Sequence, residues 1–141
     1  MMKTNKILLG ALTAAIAFFF LGWIIYGMLL ADFMQNNFDQ SLMKAEEDMI
    51  WWAMILANLA SGLLLAFIIS WSNAKCIGEG AKIGGITGLL MALGVDLSFY
   101  SMSDLYANLT AVFVDVIIVT VMWAAVGLAV AWVMGIKKEE A

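Results

Sequence analysis

Apolar residues in this chain come in four long blocks separated by short polar segments. The blocks cover residues 7–31, 49–72, 81–100 and 106–134. At a rise of about 1.5 Å per residue, helices of these lengths measure roughly 30–43 Å, against a bilayer hydrocarbon core of about 30 Å. The pattern predicts four transmembrane helices in one integral membrane domain over residues 1–141: an all-α, polytopic protein folded as an antiparallel four-helix bundle. The first block follows Lys3 and Lys6, as the apolar core of a secretory signal would. It runs well past the roughly 7–15 apolar residues of such a signal, and ends at Asp32 rather than at a small-residue cleavage site. The second block opens with Trp51 and Trp52 and closes with Trp71, which places indoles at both membrane–water boundaries.

Residues 32–48 are the longest polar segment. Asp32, Asp39, Glu46, Glu47 and Asp48 stand there against Lys44. Phe38, Leu42, Ala45 and Met49 recur at helical spacing, and Asp39 is a candidate N-cap. The spacing predicts a short amphipathic helix near the interface that runs into the second span; a solvated loop fits the same composition equally well. The second and third spans are joined by residues 73–80, with Lys75, Cys76 and Glu79. The third and fourth are joined by a tight turn at residues 101–104.

Composition supports a membrane as the solvent. The chain is 65% hydrophobic and 13% charged, where ordinary soluble domains carry about 25% charge. Proline is absent, so nothing forces a helix to kink. Histidine is absent too, which removes histidine-ligated haem, His-based zinc sites and Ser-His triads. The single cysteine, Cys76, excludes an intramolecular disulfide and a Cys-x-x-Cys pair. No catalytic constellation, metal site or cofactor site can be assembled, and the expectation is a non-enzyme. All seven basic residues are lysines and the net charge is −4. With no guanidinium fork for phosphate, nucleic acid is not an expected partner.

The lysines also set an orientation. Four spans put both termini on one side, with Lys3, Lys6, Lys75, Lys82, Lys137 and Lys138; only Lys44 lies on the other. Basic residues concentrate on the cytoplasmic side. The expectation is a protein of the cell's inner or plasma membrane with both termini cytoplasmic and an acidic external face. That face either concentrates cations or is simply a solvated loop.

The third span is rich in glycine. On a helical wheel, Ala81, Gly85, Gly88, Ala92 and Asp96 fall within about 80° of one another. A second set, Gly80, Gly84, Gly88 and Ala92, steps by four. Small residues let helix backbones approach closely in a membrane. Gly84, Gly85, Gly88 and Ala92 are therefore candidate packing positions, and the alternative is a glycine-lined pathway. Gly10, Ala14 and Ala17 make the first helix a candidate partner; a homodimer contact is the other.

Polar groups enter three spans from the external side. Asp96 lies about 7 Å from the end of its span and Asp115 about 14 Å from the end of its own. Asn58 lies at a comparable depth in the second span, and Asn108 near the external end of the fourth. An aspartate at mid-helix costs about 2.5–3.5 kcal/mol on insertion scales and normally finds a partner inside the bundle. No lysine lies deep in these spans. Asn58, Asp96, Asn108 and Asp115 thus form a candidate intramembrane cluster. It is either a protonated network, hydrogen-bonded also to Ser98 or tyrosine hydroxyls, or an ionised site for a cation or water.

The end of the first block carries Gly22, Trp23, Tyr26, Phe33 and Met34. Glycine followed four residues later by tyrosine, then an apolar turn and an aromatic–methionine ending, resembles the first-helix signature of a family of small bacterial four-span membrane proteins of unknown function. In that family a tryptophan usually stands directly before the tyrosine; here Ile25 does, with the tryptophan at Trp23. The resemblance implies a four-helix layout and no catalytic residues. On their own, Trp23 and Tyr26 read as interfacial aromatics.

Three functions compete. The first is a structural or accessory membrane component acting through helix–helix contacts, as a homo-oligomer or within a larger complex. The second is an ion or solute transporter or channel subunit using Asp96, Asp115 and Asn58. The third and weakest is a membrane enzyme acting on lipid, quinone or an envelope precursor.

Overall fold

A computed structural model describes residues 2–136, so Lys137 and Lys138 lie outside the described residues. The regular structure of the described chain is all helical, without strands. Four stretches are long and apolar enough to cross a membrane: Lys3–Leu29, Trp51–Trp71, Ile77–Met102 and Leu109–Val133. The last three are the regular helices α3, α4 and α5. The first is composite. Helix α1 (Met2–Ile24) passes into a π-helical turn at Ile25–Leu29, closed by Leu30 N–H donating to the Ile25 carbonyl at 2.8 Å. Helix α2 (Ala31–Asn37) follows.

Local chemistry sets the helix ends. Asn108 is the N-cap of α5, its Oδ1 accepting Ala111 N–H at 2.9 Å. The fourth helix therefore starts later than the apolar block, while α4 runs on to Met102 through the first half of the anticipated turn. Helix α5 ends at Val133 and is closed by Gly135 (φ 79°) two residues on. Gly135 N–H bonds the Trp132 carbonyl and Ile136 N–H bonds the Ala131 carbonyl, closing a Schellman motif.

The amphipathic helix expected on Phe38, Leu42, Ala45 and Met49 does not form. Helix occupies the preceding residues instead, and residues 38–50 are extended apart from 3₁₀ turns at Gln40–Leu42 and Glu46–Asp48. Asp39 does cap, but only the first turn: its Oδ1 accepts Ser41 N–H at 2.8 Å and Ser41 Oγ–H at 2.6 Å. Those bonds hold its carboxyl below the ordinary aspartate range. They also give the backbone a local alternative to helix. Leu42 and Met43 remain exposed, so no buried apolar face favours the helix.

Packing joins two helix pairs. Helix α4 lies along α5, α1 lies along α3, and α1 also contacts α5. The α4–α5 contact is backbone against backbone. A Cβ at Gly84 would meet the Trp123 carbonyl and lie 3.1 Å from Gly127 Cα; one at Gly127 would meet the Gly80 carbonyl. A Cβ at Gly88 would strike the Trp123 side chain. The glycine helix therefore packs on α5 rather than on the first helix, one of its two candidate partners. The face of α1 turns elsewhere: Ala11 and Ala14 close on Gly62 of α3, and Gly10 faces Met134 and Val130 of α5. Gly85 is looser than its neighbours, since an added Cβ would sit an ordinary 3.5 Å from Ala124. Phe18 on Trp123, with ring centroids 4.8 Å apart, fills the junction of α1 and α5.

Candidate functional site

The buried positions of α4 are Gly80, Gly84, Gly88, Ala92 and Asp96, one every fourth residue. The row that lets α4 approach α5 therefore ends in a carboxylate, and Asp96 is carried into the protein rather than towards lipid. It is 6% exposed. Asp96 lies six residues before the end of α4 at Met102, and Asp115 six residues after the start of α5 at Leu109. Each is roughly 9 Å from its helix end, at equal depth. The sequence had put Asp115 deeper, because the cap at Asn108 was not recognised as the start of the helix.

Two tyrosines complete the cluster. Tyr26 Oη–H donates to Asp115 Oδ1 at 2.5 Å, and Tyr106 Oη–H lies 3.4 Å from Asp115 Oδ2. Asp96 sits beside both Asp115 and Tyr106. Its Oδ2 is buried without a hydrogen-bond partner. The nearest cation on its own helix, Lys82, is fourteen residues away, about 21 Å along the axis. Burial, then the Asp115 and Asp96 carboxylates, pushes the Tyr106 phenol above its ordinary value, so it stays a donor.

Each tyrosine is placed by an irregular segment. Tyr26 sits in the π turn, whose wider repeat re-aims side chains relative to α1. Tyr106 lies in the connection between α4 and α5, which pairs with the end of α2. Asp39 N–H donates to the Leu105 carbonyl and Ala107 N–H to the Asn37 carbonyl, both at 2.9 Å. The Phe38 and Tyr106 rings then meet at 4.8 Å. Four segments thus converge on one pair of carboxylates.

Of the four anticipated cluster residues, the structure brings together Asp96 and Asp115. Asn108 is occupied as a helix cap and lies 3.4 Å from Asn37 Oδ1. Ser98 is exposed and bonds the Gly94 carbonyl of its own helix. Asn58 is half-buried in a different place, a shallow groove of about 310 Å³ between α1 and α3, among Leu12, Ile16, Phe19, Phe20 and Ile55. It has no side-chain hydrogen bond within the described residues. Tyr26, read as an interfacial aromatic, points inward. Among the described residues no three of His, Cys, Asp or Glu come close enough to hold a metal ion.

No family model matches the chain, and neither a curated protein nor a solved structure is detectably similar to it. Function is therefore argued from the site alone. Two carboxyl groups without a cation, served by two phenolic donors, can exchange protons or hold a small cation. They supply no nucleophile–base pair of a recognised kind.

Proposed function

We propose that this chain is a small, non-enzymatic component of the cell's inner or plasma membrane that works through helix–helix contacts. In this reading it is one domain, an antiparallel four-helix bundle with both termini cytoplasmic, joined to a second copy or to a larger complex. Asn58 carries the proposal. Asn58 lies within α3, lines an otherwise apolar groove and makes no side-chain hydrogen bond within the described residues. Unpaired polar groups are costly in hydrocarbon. An amide in a span is matched by a group from another helix, at about 1–2 kcal/mol per bond in model peptides.

The test is the oligomeric state in lipid nanodiscs or by cross-linking in native membranes. Wild type is expected as an assembly that Asn58→Leu dissociates. A wild-type monomer, or an assembly indifferent to Asn58→Leu, would overturn the reading.

A second reading is an ion or solute transporter or channel subunit. The unpartnered oxygen of buried Asp96 favours it; Asn58, placed elsewhere, takes no part. It predicts a proton or cation flux in reconstituted vesicles that Asp115→Asn abolishes, and it fails if wild-type vesicles show no flux above protein-free ones.

A further inference from the structure

We propose that Asp96 and Asp115 form a carboxyl–carboxylate pair holding one proton at the end of the α4–α5 seam, with Asp96 as the proton-bearing member. This deepens the site of the second reading by naming its ligand.

The argument is a count of donors and acceptors. An ionised carboxylate only accepts. Asp115 is well served in that form, since each of its oxygens faces a tyrosine hydroxyl. Asp96 is not, because Oδ2 is buried with no donor. Ionised, it would be a second anion beside the first, desolvated and with no counter-ion at hand. The groups facing the pair are Tyr26 from the π turn and Tyr106 from the α4–α5 connection. Phe33, Met34 and Phe38, from the α2 segment, add only apolar contacts to the adjoining core.

One proton resolves the mismatch. It turns Asp96 Oδ2, the one oxygen of the pair without a donor, into an O–H that donates to the Asp115 carboxylate beside it, a charge-assisted bond. The proton comes from water and returns to water, with no electron moved. It also needs no cavity. A divalent metal would need further ligands, and no third carboxylate, histidine or cysteine joins the pair among the described residues. Because the proton joins α4 to α5 directly, and through Asp115 to α1, its loss leaves two adjacent anions pushing the helix ends apart.

The experiment is infrared spectroscopy of the purified protein in lipid nanodiscs at neutral pH, combined with unfolding temperature as a function of pH. Wild type is expected to show a protonated carboxylic C=O stretch that shifts in D₂O and on isotopic labelling of the aspartate carboxyl carbons. Asp96→Asn is expected to lose that band and still fold, since the carboxamide N–H replaces the O–H donor. A proton held on Asp96 by the folded state and not by the unfolded one makes wild-type stability fall as pH rises and that proton is lost. Asp96→Asn should flatten that fall. The wild-type spectrum and titration need no variant to fold. Absence of the band, its persistence in Asp96→Asn, or stability that follows sodium or potassium concentration at fixed pH would overturn the proposal. These readouts are separate from the flux assay, so the pair can hold a proton even if nothing crosses the membrane.

Discussion

The Tyr26 hydroxyl donates to Asp115 Oδ1 across 2.5 Å and so ties the end of α1 to α5. Tyr26→Phe keeps the ring and deletes only this bond, leaving a half-buried carboxylate oxygen without its donor. The expected cost is about 1–3 kcal/mol, the range for an unsatisfied partner or a bond to a charged group. Tyr106→Phe should cost less, because its oxygen lies at 3.4 Å, near the limit of a useful bond. Equilibrium unfolding in mixed micelles checks both. Equal costs for the two variants would mean that the distances do not rank the bonds.

The α4–α5 seam predicts a contrast among glycines on one helix. Gly84→Ala drives a methyl into the Trp123 carbonyl and Gly127, all of it backbone that cannot rotate away. An overpacking cost of about 1–3 kcal/mol is expected. Gly85→Ala meets only ordinary contact, and Gly94→Ala meets nothing within 4 Å. Both should be neutral or stabilising, by up to about 1 kcal/mol from helix propensity. Thermal unfolding of the three variants side by side decides it; a Gly94→Ala cost equal to that of Gly84→Ala would place the seam wrongly.

These contrasts show where the sequence was legible. The spans could be read because each is apolar around most of its circumference, a signal that needs no partner. The step-of-four row through Gly84, Gly88 and Ala92 could be read as a packing face, because absence of a side chain is itself visible. Its partner could not, since α1 and α5 both offer small residues and only the three-dimensional arrangement chooses Gly127. Asp96 and Asp115 could be paired by side of the membrane, yet their equal depth depended on Asn108 capping α5 rather than lying within it. Tyr26 read as an interfacial aromatic from its place at the end of the span, and nothing in the apolar pattern marks the π turn that aims it at Asp115. Asn58 shared a depth with the aspartates but sat on the wrong helix pair, and depth alone says nothing about azimuth.

The proposed orientation can be tested with the single thiol. Cys76 is half-buried at the start of α4, beside Lys75. With both termini cytoplasmic, a membrane-impermeant maleimide should label it from the cytoplasmic side alone. In a Cys76→Ser background, Ser41→Cys, in the exposed turn beside Asp39, should label from the opposite side alone. The reverse pattern would invert the topology, and labelling of both cysteines from one side would overturn the four-span layout.

The last prediction concerns how a loop reaches the carboxylates. Tyr106 is held by the Phe38 ring at 4.8 Å and by the two backbone bonds that join residues 37–39 to residues 105–107. Phe38 is buried and sits in the core cluster of Ala92, Ala111 and Val112. Phe38→Ala should therefore cost about 3 kcal/mol, as buried aromatic truncations do. The more telling quantity is the coupling. Once the ring that positions Tyr106 is gone, its hydroxyl no longer has a fixed place opposite Asp115 Oδ2, and Tyr106→Phe should cost little in the Phe38→Ala background. A double-mutant cycle isolates that term, with neighbouring residues coupling by about 0.5–3 kcal/mol. The same cycle run with Tyr26→Phe should be close to additive, because Tyr26 reaches Asp115 from the π turn without passing through the loop. Additivity in the Tyr106 cycle would mean that the loop covers the site without positioning it.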